Sequence, residues 1–215
     1  MNKKYLAEFL GTFALVFCGT GAIIVNQQSG GMITHAGIAA TFGLIVSAMI
    51  YALGDISGAH FNPAVTVAFF VAKKFPAKEI VPYALSQAAG AFLASGILKL
   101  LFANSDNLGA TLPSGSPMQS FILEIVLAFI LMLVIVHVAA GSKEQGMFAG
   151  IAIGSVVLLE AMFAGPICGA SMNPIRSLAP ALVSGHLQSL WIYLTAPFIG
   201  AILAVGAWKI LNSGI

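Results

Sequence analysis

Two stretches decide how this chain folds: Ser57-Gly58-Ala59-His60-Phe61-Asn62-Pro63-Ala64-Val65-Thr66 and Gly169-Ala170-Ser171-Met172-Asn173-Pro174-Ile175-Arg176. Each sets an Asn-Pro pair near the head of a short apolar run, Phe61–Ala72 and Met172–Val183. Crossing a hydrocarbon core as a helix takes ~20 apolar residues, so runs of this length read as re-entrant or buried. Proline suits the first turn of a helix, where its missing N–H is not needed, and the asparagine before it can cap that turn. A lone Asn-Pro often marks an ordinary turn. Two of them, 111 residues apart at matching places in the chain, ask for a common structural reason.

Around these short runs lie six that are long enough to span: Tyr5–Val25, Ile33–Leu53, Val81–Phe102, Phe121–Ala140, Met147–Met162 with some extension, and Leu190–Leu211. The order is span, span, short, span, and then the same again. Each half holds an odd number of crossings, so the second enters from the opposite face, which makes an inverted repeat. The spacing predicts an all-α membrane protein of six transmembrane helices and two re-entrant half-helices. On this reading residues 1–215 are a single transmembrane domain, with repeats at about 1–103 and 117–215. The stretch 104–119, rich in Gly, Ser and Pro, reads as the external connector between them.

Composition agrees. Charged residues are 7% of the chain, against about 25% in a soluble domain, and hydrophobic residues are 59%. A soluble surface cannot be built from that mixture, whereas a bilayer accepts it. The net charge of +2 comes without a basic cluster, so there is no nucleic-acid footprint. The two cysteines, Cys18 and Cys168, read as free packing thiols rather than a disulfide framework. Tyr5–Val25 is too long for the apolar core of a signal peptide and no small-residue cleavage site closes it, so it reads as the first span. Lys3, Lys4, Lys73, Lys74, Lys78, Lys143 and Lys209 fall on one side of the six-span arrangement, with Lys99 toward the other. The positive-inside rule then puts both termini in the cytoplasm, and the short loops suggest a prokaryotic cell membrane.

Two half-helices entering from opposite faces would meet by their N-termini near the midplane, each aiming a positive dipole end and an asparagine donor at the junction. Non-helical backbone at that depth is tolerated where it lines a wet cavity or is buried in protein. The stretches leading in, Gly54–Ala59 and Ala164–Ser171, could supply a row of carbonyl acceptors along such a cavity. Ala7-Glu8-Phe9-Leu10 in span one and Leu123-Glu124-Ile125-Val126 in span four each bury a carboxylate. Their symmetric placement favours loop anchors that accept backbone N–H groups over a proton relay. Arg176, the one arginine of the chain, sits in an apolar segment. There a charge faces a pore or a partner; an arginine held by loop carbonyls is the alternative, and both can hold together. His60 reads as a loop brace on the vestibule rather than a metal ligand; His35, His137 and His186 receive no role.

With Ala7-Glu8-Phe9-Leu10-Gly11-Thr12 and Arg176-Ser177-Leu178 added to the two Asn-Pro stretches, the chain resembles the aquaporin and glycerol-facilitator family, the major intrinsic proteins, over nearly its whole length. Its wording is nearest to the plant nodulin-type and related bacterial members. The resemblance implies a passive channel for water and small uncharged solutes (glycerol, urea, peroxide or metalloid acids) that excludes ions and protons. It also implies a homotetramer with one pore per subunit, with no cofactor, no metal and no enzymatic activity. It makes Asn62, Pro63, Ala64, Asn173, Pro174 and Ile175 the paired pore motifs, and Glu8, Glu124 and His60 the loop anchors. Counting from the asparagines places the family's selectivity filter on Phe42, Ala161, Ala170 and Arg176. Ala161 stands where strictly water-selective members commonly carry histidine, so the resemblance leans toward a broad pore.

Two residues, Ile175 and Glu160, depart from the pattern. Ile175 replaces the alanine of the second motif, at a place expected to lie where the half-helices pack together, so it would bear on the central constriction. Glu160 is expected to turn toward a neighbouring helix, since adjacent helical residues do not share a face with Ala161. Asp55 reads as a solvated loop charge at the cytoplasmic mouth, and Cys168 as a thiol near the outer mouth, open to reagents. The competing functions are a strictly water-selective channel and, from another class, an ion-coupled secondary transporter, which also uses inverted repeats and broken helices.

Overall fold

The computed structural model describes residues 2–140 and 146–213. In order they form α1 (Lys3–Gln28), α2 (Thr34–Ser57), α3 (Pro63–Val71), a 3₁₀ turn (Ala77–Glu79), α4 (Ile80–Leu101), α5 (Pro117–Ala140), α6 (Ala149–Cys168), α7 (Pro174–Ser184) and α8 (Leu190–Asn212). Six helices, α1, α2, α4, α5, α6 and α8, are long and apolar enough to cross a membrane. The half-helices α3 and α7 are shorter, and each starts with proline at its first position behind an asparagine cap.

The chain does locally what its sequence dictates. Asn2 caps α1 by accepting from the Lys4 N–H, and Ser116 caps α5 by accepting from the Gln119 N–H behind Pro117. The fifth span runs further than its hydropathy predicts, to Cys168, because Pro166 is carried inside the helix instead of ending it.

The repeat is visible in the packing. Helix α1 lies against α4 and α5 lies against α8, while α2 and α6 cross each other at the interface of the halves. At that crossing a Cβ on Gly43 would come 2.5 Å from the Gly154 carbonyl, and one on Gly154 would come 2.5 Å from the Gly43 carbonyl. In a bilayer lipid tails are as apolar as side chains, so helices associate through this kind of close backbone contact. Large apolar side chains such as Leu44, Leu85, Leu100 and Phe163 point outward from the spans.

The lysine-bearing ends come together. Lys209 donates to the Val71 carbonyl at the end of α3 at 2.9 Å, and the Lys74 ammonium lies 6.0 Å from the Trp208 ring. Tyr5 donates to Glu79 at 2.9 Å, joining the start of α1 to the same end. Lys143 lies outside the described residues.

Candidate functional site

The two loops entering the half-helices have the same backbone. Helix α2 ends on Gly58 (φ 86°), after which Ala59 (φ 51°) and Phe61 (φ 50°) are left-handed. Helix α6 ends on Gly169 (φ 82°), after which Ala170 (φ 42°) and Met172 (φ 52°) are left-handed. Non-glycine residues in this region cost of order 1–3 kcal/mol each and persist only where the surroundings hold them. The holding groups are the buried carboxylates. Glu8 accepts from the His60 and Phe61 N–H groups at 2.9 and 2.7 Å, from the Ser57 hydroxyl at 2.7 Å and from Gln87 Nε2 at 2.7 Å. Glu124 accepts from the Ser171 and Met172 N–H groups at 2.7 and 2.8 Å.

The half-helices meet through their asparagines. Asn62 Oδ1 accepts from the Ala64 N–H at 2.9 Å while its Nδ2 donates to the Met172 carbonyl at 2.8 Å. Asn173 Oδ1 accepts from the Ile175 and Arg176 N–H groups at 3.1 and 3.4 Å while its Nδ2 donates to the Phe61 carbonyl at 2.9 Å. Each side chain caps its own helix and clasps the opposite loop. An amide nitrogen carries two hydrogens, so each asparagine keeps one donor beyond the clasp.

Both asparagines line a cavity of about 770 Å³. Its wall repeats with the chain: Phe42, Val46 and Ile50 from α2 answer Ile153, Val157 and Ala161 from α6. Loop residues Gly58 to Phe61 and Ala170 to Met172 line it as well, together with Val65 and Phe69 of α3 and Leu131 and Ile135 of α5. At one end stand the four residues counted from the asparagines, Phe42, Ala161, Ala170 and Arg176. Arg176 is 2% exposed; its Nη1 donates to the Gly109 carbonyl at 2.9 Å, and its Cζ lies 5.0 Å from the centre of the Phe42 ring. At the other end are Tyr51, Gly54, Asp55 and His60. The Thr66 hydroxyl donates to the Asn62 carbonyl, so its oxygen accepts from His60 Nδ1 at 3.1 Å and from Gln87 Nε2 at 3.2 Å. The His60 ring is stacked on Phe69 and packed against Phe75 and Tyr83.

The model of the family described as "Major intrinsic protein" matches residues 1–208. The chain belongs to the major intrinsic protein family. It is 46% identical to aquaporin NIP1-1 of Oryza sativa over 98% of this chain and 74% of the relative. It is 47% identical to nodulin-26 of Glycine max over 96% of this chain and 76% of the relative. The crystal structure of the aquaglyceroporin from Plasmodium falciparum superposes with a TM-score of 0.88 at 27% identity, covering 98% of this chain and 97% of that one.

Within that family fold several sequence expectations need correction. Ile175 does not lie between the half-helices: it is buried among Val16, Ala91, Ala94 and Ala179, away from the cavity wall. Cys168 is fully buried at the end of α6 with its thiol toward the Ala164 carbonyl, so it is not open to reagents. Asp55 sits in the last turns of α2, not in a loop, although it does line the mouth. The carbonyl stretches are shorter than expected, because Gly54–Ser57 and Ala164–Cys168 are helical. Glu160 keeps off the cavity wall as expected, and its two oxygens are buried with no hydrogen-bond partner among the described residues.

The structure also recruits residues that sequence reasoning passed over. Gln87 joins Glu8 to Thr66, and its polarity inside an apolar span was the available signal. Tyr83 and Tyr193 donate to the Ser57 and Cys168 carbonyls, at 2.8 and 2.7 Å, where α2 and α6 end. Ser177 links Thr111 and Ser171 by hydroxyl bonds at 2.7 and 2.5 Å beside Arg176.

Proposed function

We propose that the cavity between the two half-helices is the permeation path of a channel for water and small uncharged solutes such as glycerol or urea, with Phe42, Ala161, Ala170 and Arg176 as its selecting ring. The protein is a channel and not an enzyme. The observation that carries the finer reading is the arginine end of the cavity. There a guanidinium braced by Gly109 packs against the Phe42 ring, 5.0 Å from its centre, while the other two sides of the ring of residues carry only methyl groups. An arginine and the positive ends of half-helices repel protons and cations. A neutral hydroxylated solute can accept from the guanidinium and lie along the Phe42 ring. The two small alanines leave room for a carbon skeleton.

Asn62 and Asn173, with Pro63, Ala64, Pro174 and Ile175 behind them, hold the midpoint, where a passing molecule meets one donor from each half. Glu8, Glu124 and His60 keep the loops in place. We assign the whole chain, 1–215, to one pore domain, assembled as a homotetramer in the cell membrane. The apolar faces left outward on the spans support both contacts, with lipid and with other copies. The lysines gathered with the ends of α3 and α8 support a cytoplasmic location for both termini.

Stopped-flow light scattering on proteoliposomes tests the ring. Water, glycerol and urea should all pass faster than through empty liposomes. Ala161→His fills one small side, so glycerol and urea entry should fall about tenfold, the scale of a steric change in a close-fitting site, with water flow retained. Water flow without solute entry in the unaltered channel would reject the broad-pore reading.

A further inference from the structure

Helix α6 carries a defect beside the selecting ring. Pro166 has no N–H, so the Met162 carbonyl, four residues earlier and next to Ala161, has lost its partner in the helix. That carbonyl is not left bare. His35, in the first turn of α2, places Nε2 at 2.7 Å from it. Only a protonated ring nitrogen can bond a carbonyl, so Nε2 carries a hydrogen and donates. The neighbouring Gly165 leaves room for the ring: a Cβ there would come 2.9 Å from His35 Cε1. In the other half, the residue of α2 that answers Pro166 is Asp55, which keeps its N–H, so no such repair is needed there.

We propose that His35 is a positioning residue for selectivity: its hydrogen bond to the Met162 carbonyl pins α6 to α2, and so fixes Ala161 against Phe42. The inference rests on the ring assigned above. The helices that carry opposite sides of the ring touch closely at Gly43 and Gly154, on the midplane side of Phe42 and Ala161. Toward the arginine end, His35 is a direct tie between the first turn of α2 and α6. Without it, α6 is free to bend at Pro166 and the bore widens where solutes are sorted.

The test is a double-mutant cycle on the reconstituted full chain, reading the ratio of glycerol to water permeability. His35→Ala should raise that ratio about threefold, within the range one net hydrogen bond supplies. Pro166→Ala returns an N–H to the Met162 carbonyl from within α6. The double variant His35→Ala/Pro166→Ala should therefore bring the ratio back toward the original value. A loss of thermal stability alone, with the ratio unchanged in His35→Ala, would make the bond merely structural and overturn the proposal. So would an equal rise in the double variant. Failure of the ring itself is seen separately: if Ala161→His leaves glycerol entry untouched, the ring is misassigned whatever the cycle shows.

Discussion

The two loops that enter the half-helices share one backbone and differ in how it is held. In the first half, Glu8 gathers two backbone N–H groups, a hydroxyl and the Gln87 amide, and Gln87 passes the network on to Thr66 and His60. In the second half, Glu124 holds the two matching backbone groups. Pro197 stands in α8 where Gln87 stands in α4, four residues beyond the paired tyrosines Tyr83 and Tyr193. An aromatic packing of His60, Phe69, Phe75 and Tyr83 fills the first loop, where the second has small hydroxyls, Ser171, Ser177 and Thr111, beside Arg176. The common part, a carboxylate accepting two N–H groups, is what the left-handed loop requires. The rest is where the halves take on separate work: a braced vestibule at one end and a charged, sorting ring at the other.

If that division is right, the largest difference between the halves should appear on removing the carboxylates. Glu8→Ala strands two backbone N–H groups, Ser57 and Gln87 in a buried place, and each unsatisfied donor costs about 1–3 kcal/mol. Glu124→Ala strands the two backbone groups alone. Both variants should be destabilised in detergent, Glu8→Ala more severely, to the point of failing to yield folded protein. Thermal unfolding with static light scattering gives the ranking. Equal losses would mean that Gln87 and Ser57 find other partners and that the first loop is no more strongly held than the second.

Much of this arrangement was legible before the structure. Spans announce themselves by length and hydropathy, and Asn62-Pro63 and Asn173-Pro174 state cap and first turn in two residues each. The paired carboxylates were legible because a charge in an apolar helix needs a reason. What escaped depends on directions that the one-dimensional pattern does not contain. Ile175 follows the second Asn-Pro, but the rotation of α7 turns it toward Val16 and Ala91 rather than toward α3. Cys168 lies five residues before Asn173 and reads as loop; it is helical because α6 continues through Pro166. Gly109 holds Arg176 with a backbone carbonyl, and a carbonyl has no residue-type signature at all.

A smaller test asks whether the symmetric part is truly symmetric. Tyr83 and Tyr193 each donate one bond to the carbonyl of Ser57 or Cys168, where α2 or α6 ends. Tyr83→Phe and Tyr193→Phe each remove one hydroxyl and leave the ring. Each should cost about 1 kcal/mol, and the two costs should match. A much larger cost for Tyr193→Phe would show that the second loop, lacking Gln87, leans on its tyrosine instead.

The smallest effect is expected at Glu160, and it sharpens the comparison through the same chemistry at two sites. Glu8→Gln exchanges an oxygen that accepts hydrogen bonds for an amide nitrogen that cannot, facing donors on both sides. It should destabilise the channel by more than about 2 kcal/mol. Glu160→Gln makes the same exchange at a carboxyl group whose oxygens bond nothing among the described residues. No hydrogen bond is lost there, volume is kept, and a buried carboxyl group is replaced by an amide that cannot ionise. The unfolding temperature should therefore stay level or rise slightly, with water and glycerol permeability unchanged because Glu160 lies off the cavity wall. A clear loss of stability or a change in solute entry would show that Glu160 has a partner in the membrane, such as a bound water or a neighbouring subunit. The second half would then be anchored by two carboxylates rather than one.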